Sequence, residues 1–157
     1  MANPIPAGRH SLQPYIRVVG ADKAIAFYTQ AFGAQEIERM AGPTGAVMHC
    51  ELKIGDSVLM LSEEFKEWGV LAPPSTKGTP VTIQFYTDDV DATHAKAVAA
   101  GAKSTLAPWD AFWGDRIAKV VDPFGHEWSI ATHKEDLSSA EIKRRSAEFF
   151  AKMPPQK

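Results

Sequence analysis

The chain has 157 residues, 45% of them hydrophobic, which suits one domain with a substantial core. A formal net charge of −2 and the lack of a Lys/Arg-rich run exclude nucleic acid as an expected partner, and no run of about 18 apolar residues is available to span a membrane. The opening MANPIPAGRHSLQPY lacks the apolar core of a signal peptide, and a single cysteine, Cys50, excludes an internal disulfide framework, so a cytoplasmic protein is expected.

LQPYIRV (12–18) predicts a strand. ADKAIAFYTQAF predicts a helix, with Ala21, Ala24, Ile25, Tyr28, Ala31 and Phe32 on one stripe and Gly33 ending it. AVMHCELKI (46–54) alternates, with Met48, Cys50, Leu52 and Ile54 on one face and His49, Glu51 and Lys53 on the other. Cys50 therefore reads as a small buried hydrophobe rather than a catalytic thiol. Gly55-Asp56 predicts a hairpin turn into SVLMLS. EEFKEWGVLAPPSTKGT (63–79), with two prolines and two glycines, predicts a linker.

The order then repeats. VTIQFYT (81–87) predicts a strand, and DDVDATHAKAVAAGA a helix capped by Asp88 or Asp89. Val90, His94, Ala97 and Val98 form its stripe, and Gly101 closes it. KSTLAPW, RIAKVVD and HEWSIAT predict three more strands. The plan of strand, helix and three strands recurs after roughly 70 residues. Gly33-Ala34 echoes Gly101-Ala102, and Gly55-Asp56 echoes Gly125-His126. The expected fold is α+β: two paired βαβββ modules, about 11–62 and 80–133, forming a curved sheet with an open cleft. A tail, 137–157, follows the domain at 10–136. There Ser138 and Glu141 form a capping box, and Ile142, Arg145, Ser146, Phe149 and Met153 give a helical stripe. Phe149-Phe150 is too apolar for a free end, so the tail packs either on this domain or on a second copy.

GADKAIAFYTQAFGA, MHCELKIGDSVLMLSEE and FWGDRIAKVVDPFGHEWSIATHKED resemble the vicinal oxygen chelate superfamily, which includes glyoxalase I, extradiol dioxygenases and the fosfomycin- and bleomycin-resistance proteins. The resemblance covers residues 10–136. Within it the chain looks most like the PhnB-like branch, to which FWGD followed by DPFGH is fairly specific. The resemblance implies paired modules, homodimers and a small molecule in each cleft.

In metal-using members, four strand positions supply His, Glu or Gln to one divalent ion. Carried over by the resemblance, these slots hold Gln13, then Leu59 or Met60, then Thr82 and Ser129. One weak amide ligand, two hydroxyls and an apolar side chain will not hold a metal against water, so neither a metal nor another cofactor is expected. By parity, Tyr15 and Arg17 share the face of Gln13, Gln84 and Tyr86 that of Thr82, and Glu127 that of Ser129. The loop PWDAFWGD adds Trp109, Phe112 and Trp113, with Arg116 just after. The candidate ligand-binding residues are thus Gln13, Tyr15, Arg17, Met60, Thr82, Gln84, Tyr86, Trp109, Phe112, Trp113, Arg116 and Ser129. The three loop aromatics serve either a ligand or the core. Arg17 and Arg116 serve either an anionic ligand or a salt bridge to a carboxylate such as Glu127. His49, His94, His126 and His133 read more simply as polar, packing or turn residues than as a second metal site.

No Gly-x-Ser-x-Gly, phosphate loop or motif-paired Cys and His is present. The expected function is metal-independent binding of a small aromatic or amphipathic organic ligand by a cytoplasmic homodimer. The alternative is a glyoxalase-like lyase or isomerase, or a dioxygenase-type enzyme, acting on a small oxygenated substrate.

Overall fold

Two βαβββ modules follow one another in a computed structural model that describes residues 3–154. The first contains β1 (Tyr15–Val18), α1 (Ala21–Phe32), β2 (Gln35–Ala41), β3 (Val47–Ile54) and β4 (Ser57–Glu63). A connecting segment carries a 3-10 turn (Lys66–Trp68) and the single-turn helix α2 (Pro73–Thr76). The second module contains β5 (Thr82–Tyr86), α3 (Val90–Ala99), β6 (Lys103–Asp110), β7 (Asp115–Val121) and β8 (Glu127–His133). The helix α4 (Ser139–Ala151) ends the described chain. The strands form two sheets, ordered β1-β4-β3-β2 and β5-β8-β7-β6. The β1/β4 and β5/β8 pairs are parallel and the rest antiparallel.

Local chemistry sets the element ends. Gly20 offers α1 no side-chain cap, so the Glu63 carboxylate on β4 accepts from the Gly20 and Ala21 amides at 2.7 and 2.8 Å. A carboxylate there also complements the helix dipole. Gly33 ends α1 at φ 67°, a backbone conformation that costs glycine least. Asp89, not Asp88, caps α3 by accepting from the Ala92 amide. Ser138 caps α4 through the Glu141 amide.

β2 supplies the third strand expected of the first module, in a segment that no alternation marks because all seven of its residues are exposed. Two expectations are corrected. The segment 63–79 is not simply a linker, since it contains the end of β4, a 3-10 turn and α2. Val98, placed on the apolar stripe of α3, is 41% exposed; only Val90 and Ala97 of that helix are buried.

Strand alternation sends Ile16, Val18, Cys50, Leu52, Leu59 and Leu61 to one face of the first sheet. Ala118, Val120, Trp128 and Ile130 occupy the corresponding face of the second, with Ile83 and Phe85 packed against them. These two faces share one core, and α1 joins them. The Phe32 ring lies 4.9 Å from Phe85 and 4.8 Å from Trp128, and Tyr28 lies 5.4 Å from Trp128. Among the described residues the other face of the first sheet carries no helix, whereas that of the second is covered at its β6–β7 side by Trp109, Trp113 and Phe149 of α4.

A buried polar knot fixes this arrangement. Asp122, 4% exposed, accepts from the amides of Phe124 and His126 on Oδ1, each at 2.9 Å. Its Oδ2 accepts from the Tyr28 hydroxyl at 2.6 Å and the Trp128 indole at 2.8 Å. Burial, and then the neighbouring Asp122 charge, push the Tyr28 phenol well above its ordinary pKa. In the same turn, His126 Nε2 meets the carbonyl of Arg17 at 2.7 Å.

The tail packs on its own chain. Phe149 stacks on Trp109 with centroids 5.8 Å apart and lies 5.3 Å from Phe112. Arg145 pairs with Glu135 at 2.9 Å, just beyond β8.

Tyr28→Phe keeps the ring packing but removes one donor from a buried carboxylate. Chemical denaturation will show a loss of about 1–3 kcal/mol. Phe149→Ala will lose about 1–3 kcal/mol of aromatic burial. It will also shift tryptophan emission to the red as Trp109 is uncovered.

Candidate functional site

The alternation that buries Ile16 and Val18 turns Tyr15 and Arg17 outward, onto the open face of the first sheet. Register places Tyr15 beside Met60, and Met60 beside Glu51. The Tyr15 hydroxyl meets His49 Nδ1 at 2.9 Å, and the two rings are edge-on at 5.4 Å. His49 Nε2 lies 3.4 Å from Glu51, which also forms an ion pair with Arg9. The Arg17 guanidinium sits over the Tyr15 ring, 3.7 Å from its centroid, in a cation–π contact.

The second sheet presents Thr82, Gln84 and Tyr86, with Glu127, Ser129 and Ala131 opposite them in register. Thr82 donates to Glu127 at 3.2 Å. Gln84 donates to the Tyr86 hydroxyl at 3.4 Å, and Tyr86 donates to Asp115 at 3.1 Å. Asp115 is 5% exposed, and it also accepts from the Trp113 indole at 3.1 Å and from His133 Nδ1 at 2.7 Å. His133 Nε2 reaches the exposed Asp136 at 3.0 Å. The bond to Asp115, and then the bond to Asp136, raise the His133 pKa above its ordinary 6.5. Burial, and then the bond to Asp115, raise that of Tyr86. When protonated, His133 is a proton donor held through Nδ1 on the buried carboxylate that also takes the Tyr86 hydroxyl.

Gly114 locks this network in place. Its φ is +99°, and a Cβ there would stand 2.5 Å from the Glu135 carbonyl oxygen. Only glycine lets the turn lie against the chain leaving β8, where the Lys134 and Glu135 amides donate to the Gly114 carbonyl.

The structure thus groups Tyr15, Arg17 and Met60 on one open face and Thr82, Gln84, Tyr86 and Ser129 on the other. Leu59 lies in the core, which settles the phase of β4 in favour of Met60. Gln13 precedes β1 and lines a cavity of about 810 Å3 between the β3–β4 hairpin and β5, with Thr82, Gln84 and Tyr86 also on its wall. The Gln13 Oε1 is buried without a hydrogen-bond partner. Trp109, Phe112 and Trp113 form a satellite core, and Phe149 of α4 covers the first two. Arg116 lies off the open face, because β7 turns Asp115 and Ile117 to that side. It pairs with Asp91 at 2.6 Å and Asp110 at 3.0 Å, and not with Glu127. Asp115 and Arg9 escaped the sequence reading, and His133 entered it only as a strand-end residue. The one local signal for Asp115 is a carboxylate two residues before Ile117, on the same strand face, which the aromatic loop buries.

Carboxylates and imidazoles are missing from the four slots that the resemblance carried over. Met60 offers a thioether, the hydroxyl of Thr82 is given to Glu127, and Ser129 is paired with Gln84 rather than with Thr82. This donor set does not fit a divalent cation. Among the described residues no three His, Cys, Asp or Glu side chains converge on a metal-sized site. Cys50 is fully buried and its thiol is pushed up to about 11, chiefly by burial, so it is no nucleophile at neutral pH.

Residues 10–130 match the profile of the Glyoxalase/Bleomycin resistance protein/Dioxygenase superfamily. An uncharacterized protein of Mycobacterium tuberculosis is 39% identical over 135 residues, which span 84% of this chain and 79% of that protein. The solved structure of TioX from Micromonospora sp. ML1 matches with a TM-score of 0.62 at 23% identity, covering 79% of this chain and 98% of its own. A bleomycin resistance determinant encoded on the transposon Tn5 matches with a TM-score of 0.59 at 21% identity, covering 80% of this chain and 99% of its own. At those identities the two structures share the fold with this chain. No helix among the described residues is long and apolar enough to cross a membrane.

An NMR titration will place the His133 midpoint above 6.5, and Asp115→Asn will bring it down. The raised value also sets a sign for stability. The tie between His133 and Asp115 is fully present below the ordinary histidine pKa, and it is lost as pH rises through the folded-state midpoint.

Proposed function

The chain belongs to the glyoxalase/bleomycin resistance protein/dioxygenase superfamily, and we propose that within it the protein is a metal-independent, homodimeric binder of a small aromatic or amphipathic molecule. The observation that carries this reading is an open face on the first sheet and an exposed β5 strip, Thr82, Gln84 and Tyr86, on the second, the rest of the second face being covered by Trp109, Trp113 and α4. Tyr15 and Tyr86, one on each face, are 42% and 59% exposed. Among the described residues no hydrogen bond joins one face to the other.

A second copy related by a twofold axis supplies each face with a partner, and two composite clefts result. Tyr15, Met60 and Tyr86 give such a cleft flat and polarizable contact area, while Thr82, Gln84 and Ser129 orient the ligand by hydrogen bonds. The thioether and hydroxyls at the metal slots support metal independence. FWGD followed by DPFGH supports a place in the PhnB-like branch. The single buried thiol of Cys50 supports a reducing, cytoplasmic location.

One observation favours a second reading, an enzyme of the glyoxalase type acting on a small oxygenated substrate. His133, held on buried Asp115 beside the Tyr86 hydroxyl, has the arrangement of a general acid. Turnover of a substrate that stops in His133→Asn would replace binding by catalysis as the main role.

Sedimentation velocity at micromolar concentration is expected to give a dimer, and elemental analysis far less than one metal per chain. A monomer, or one zinc, nickel, manganese or iron per chain, overturns the proposal. In a thermal-shift screen of aromatic compounds, Tyr86→Ala will weaken the best binder by about tenfold, or about 1.4 kcal/mol.

A further inference from the structure

The chain contains six arginines. Five of them end on carboxylates: Arg9 on Glu51, Arg39 on Asp22 and Glu36, Arg116 on Asp91 and Asp110, Arg144 on Glu141 and Glu148, and Arg145 on Glu135 and Glu141. Arg17 ends on none among the described residues. Its guanidinium makes a single long hydrogen bond, 3.4 Å to the carbonyl of Ile16.

Carboxylates are near, but they are committed elsewhere. Glu63 follows Ser62, the register partner of Arg17, and both its oxygens take amides at the start of α1. Glu64 takes the Ala72 amide and the Ser75 hydroxyl. Glu51 takes Arg9 and faces His49. A guanidinium presents five N–H donors in a planar fork, so most of those on Arg17 are unspent. The group is also held in place. Its charge rests on the Tyr15 ring at 3.7 Å, and its own backbone carbonyl is tied by His126 at 2.7 Å. A positioned and unpaired guanidinium beside an aromatic ring, on an open face, suits a planar oxyanion borne on an aromatic body.

We propose that Arg17 is the anion anchor of the cleft, and that the ligand is an aromatic carboxylate whose oxygens take the guanidinium fork. The proposal rests on the small-molecule-binding reading and narrows it to a chemical class. Tyr15 acts as the platform that holds the fork, and Met60, beside Tyr15 in register, contacts the ring of the ligand.

The test is calorimetry on the full chain with benzoate, phenyl phosphate and the neutral benzamide. Wild-type protein is expected to prefer benzoate to benzamide by about tenfold, the size of one charge-assisted bidentate contact. The preference will shrink as salt is added. Arg17→Gln, shown to be folded by circular dichroism, will erase it, and Arg17→Lys will restore part of it. A stronger preference for phenyl phosphate in wild type alone would overturn the carboxylate assignment. Three results overturn the anchor: equal binding of benzoate and benzamide by wild type, a preference that survives Arg17→Gln, or one that emerges only in Glu127→Gln, where a carboxylate across the cleft had been neutralising the arginine. Benzamide binding without any preference removes the anchor and leaves the small-molecule reading standing. Failure of every aromatic compound in both the calorimetry and the thermal-shift screen removes that reading as well.

Discussion

A buried carboxylate with no counter-ion among the described residues holds the two modules together. Burying an ionised group costs several kcal/mol unless its lone pairs are met. Asp122 meets that requirement with four donors, two amides of its own turn and one side chain each from α1 and β8. Three of the donors follow within six residues and the fourth, Tyr28, comes from the other module, so the group ties the turn to α1. It sets the shape of the DPFG turn, the approach of the first helix and the start of the last strand. Through His126 the same turn reaches the carbonyl of Arg17. The first sheet's open face is therefore positioned by a residue on the second module's far side.

Joining the modules through their helix-bearing faces has a cost and a use. The core is continuous, with Tyr28, Phe32, Phe85 and Trp128 at its middle. The strips that carry Tyr15 on the first sheet and Gln84 and Tyr86 on the second are left exposed. Their polarity follows from that position. A surface that faces water in one chain cannot be lined by leucine, so its recognition chemistry is built from hydroxyls, amides, phenols and guanidinium. The aromatic loop shows the opposite outcome. Trp109 and Phe112 are large enough to demand cover, and the tail supplies it before any ligand does.

Much of the fold was legible because its rules are local. Gly33 and Gly101, the cap at Ser138 and the stripe of α1 are all decided within a few residues. β2 was illegible because the backbone of β3, and not side-chain burial, makes it a strand. The phase of SVLML was illegible because every position is apolar except the first. Pairing of Cys50 with Leu61 and of Leu52 with Leu59 settled it from the neighbouring strand. Arg116 was assigned to the wrong side because it was counted with the preceding loop, whereas the phase of β7 is set by Ile117. The Asp115 network was hidden because its partners Tyr86 and His133 are 29 and 18 residues away. No spacing rule connects residues so far apart.

The outer margin of the first sheet has a consequence for growth. β2 leaves an unpaired edge, but Glu36, Glu38 and Arg39 stand along it, and its register slips twice against β3. Arg39 is drawn toward Asp22 and Glu36, so its charge lies along the rim. Charges and bulges at an edge obstruct the addition of another strand. Growth of the sheet from that side is therefore disfavoured. At this margin copies of the chain are thus discouraged from joining edge to edge into a ribbon.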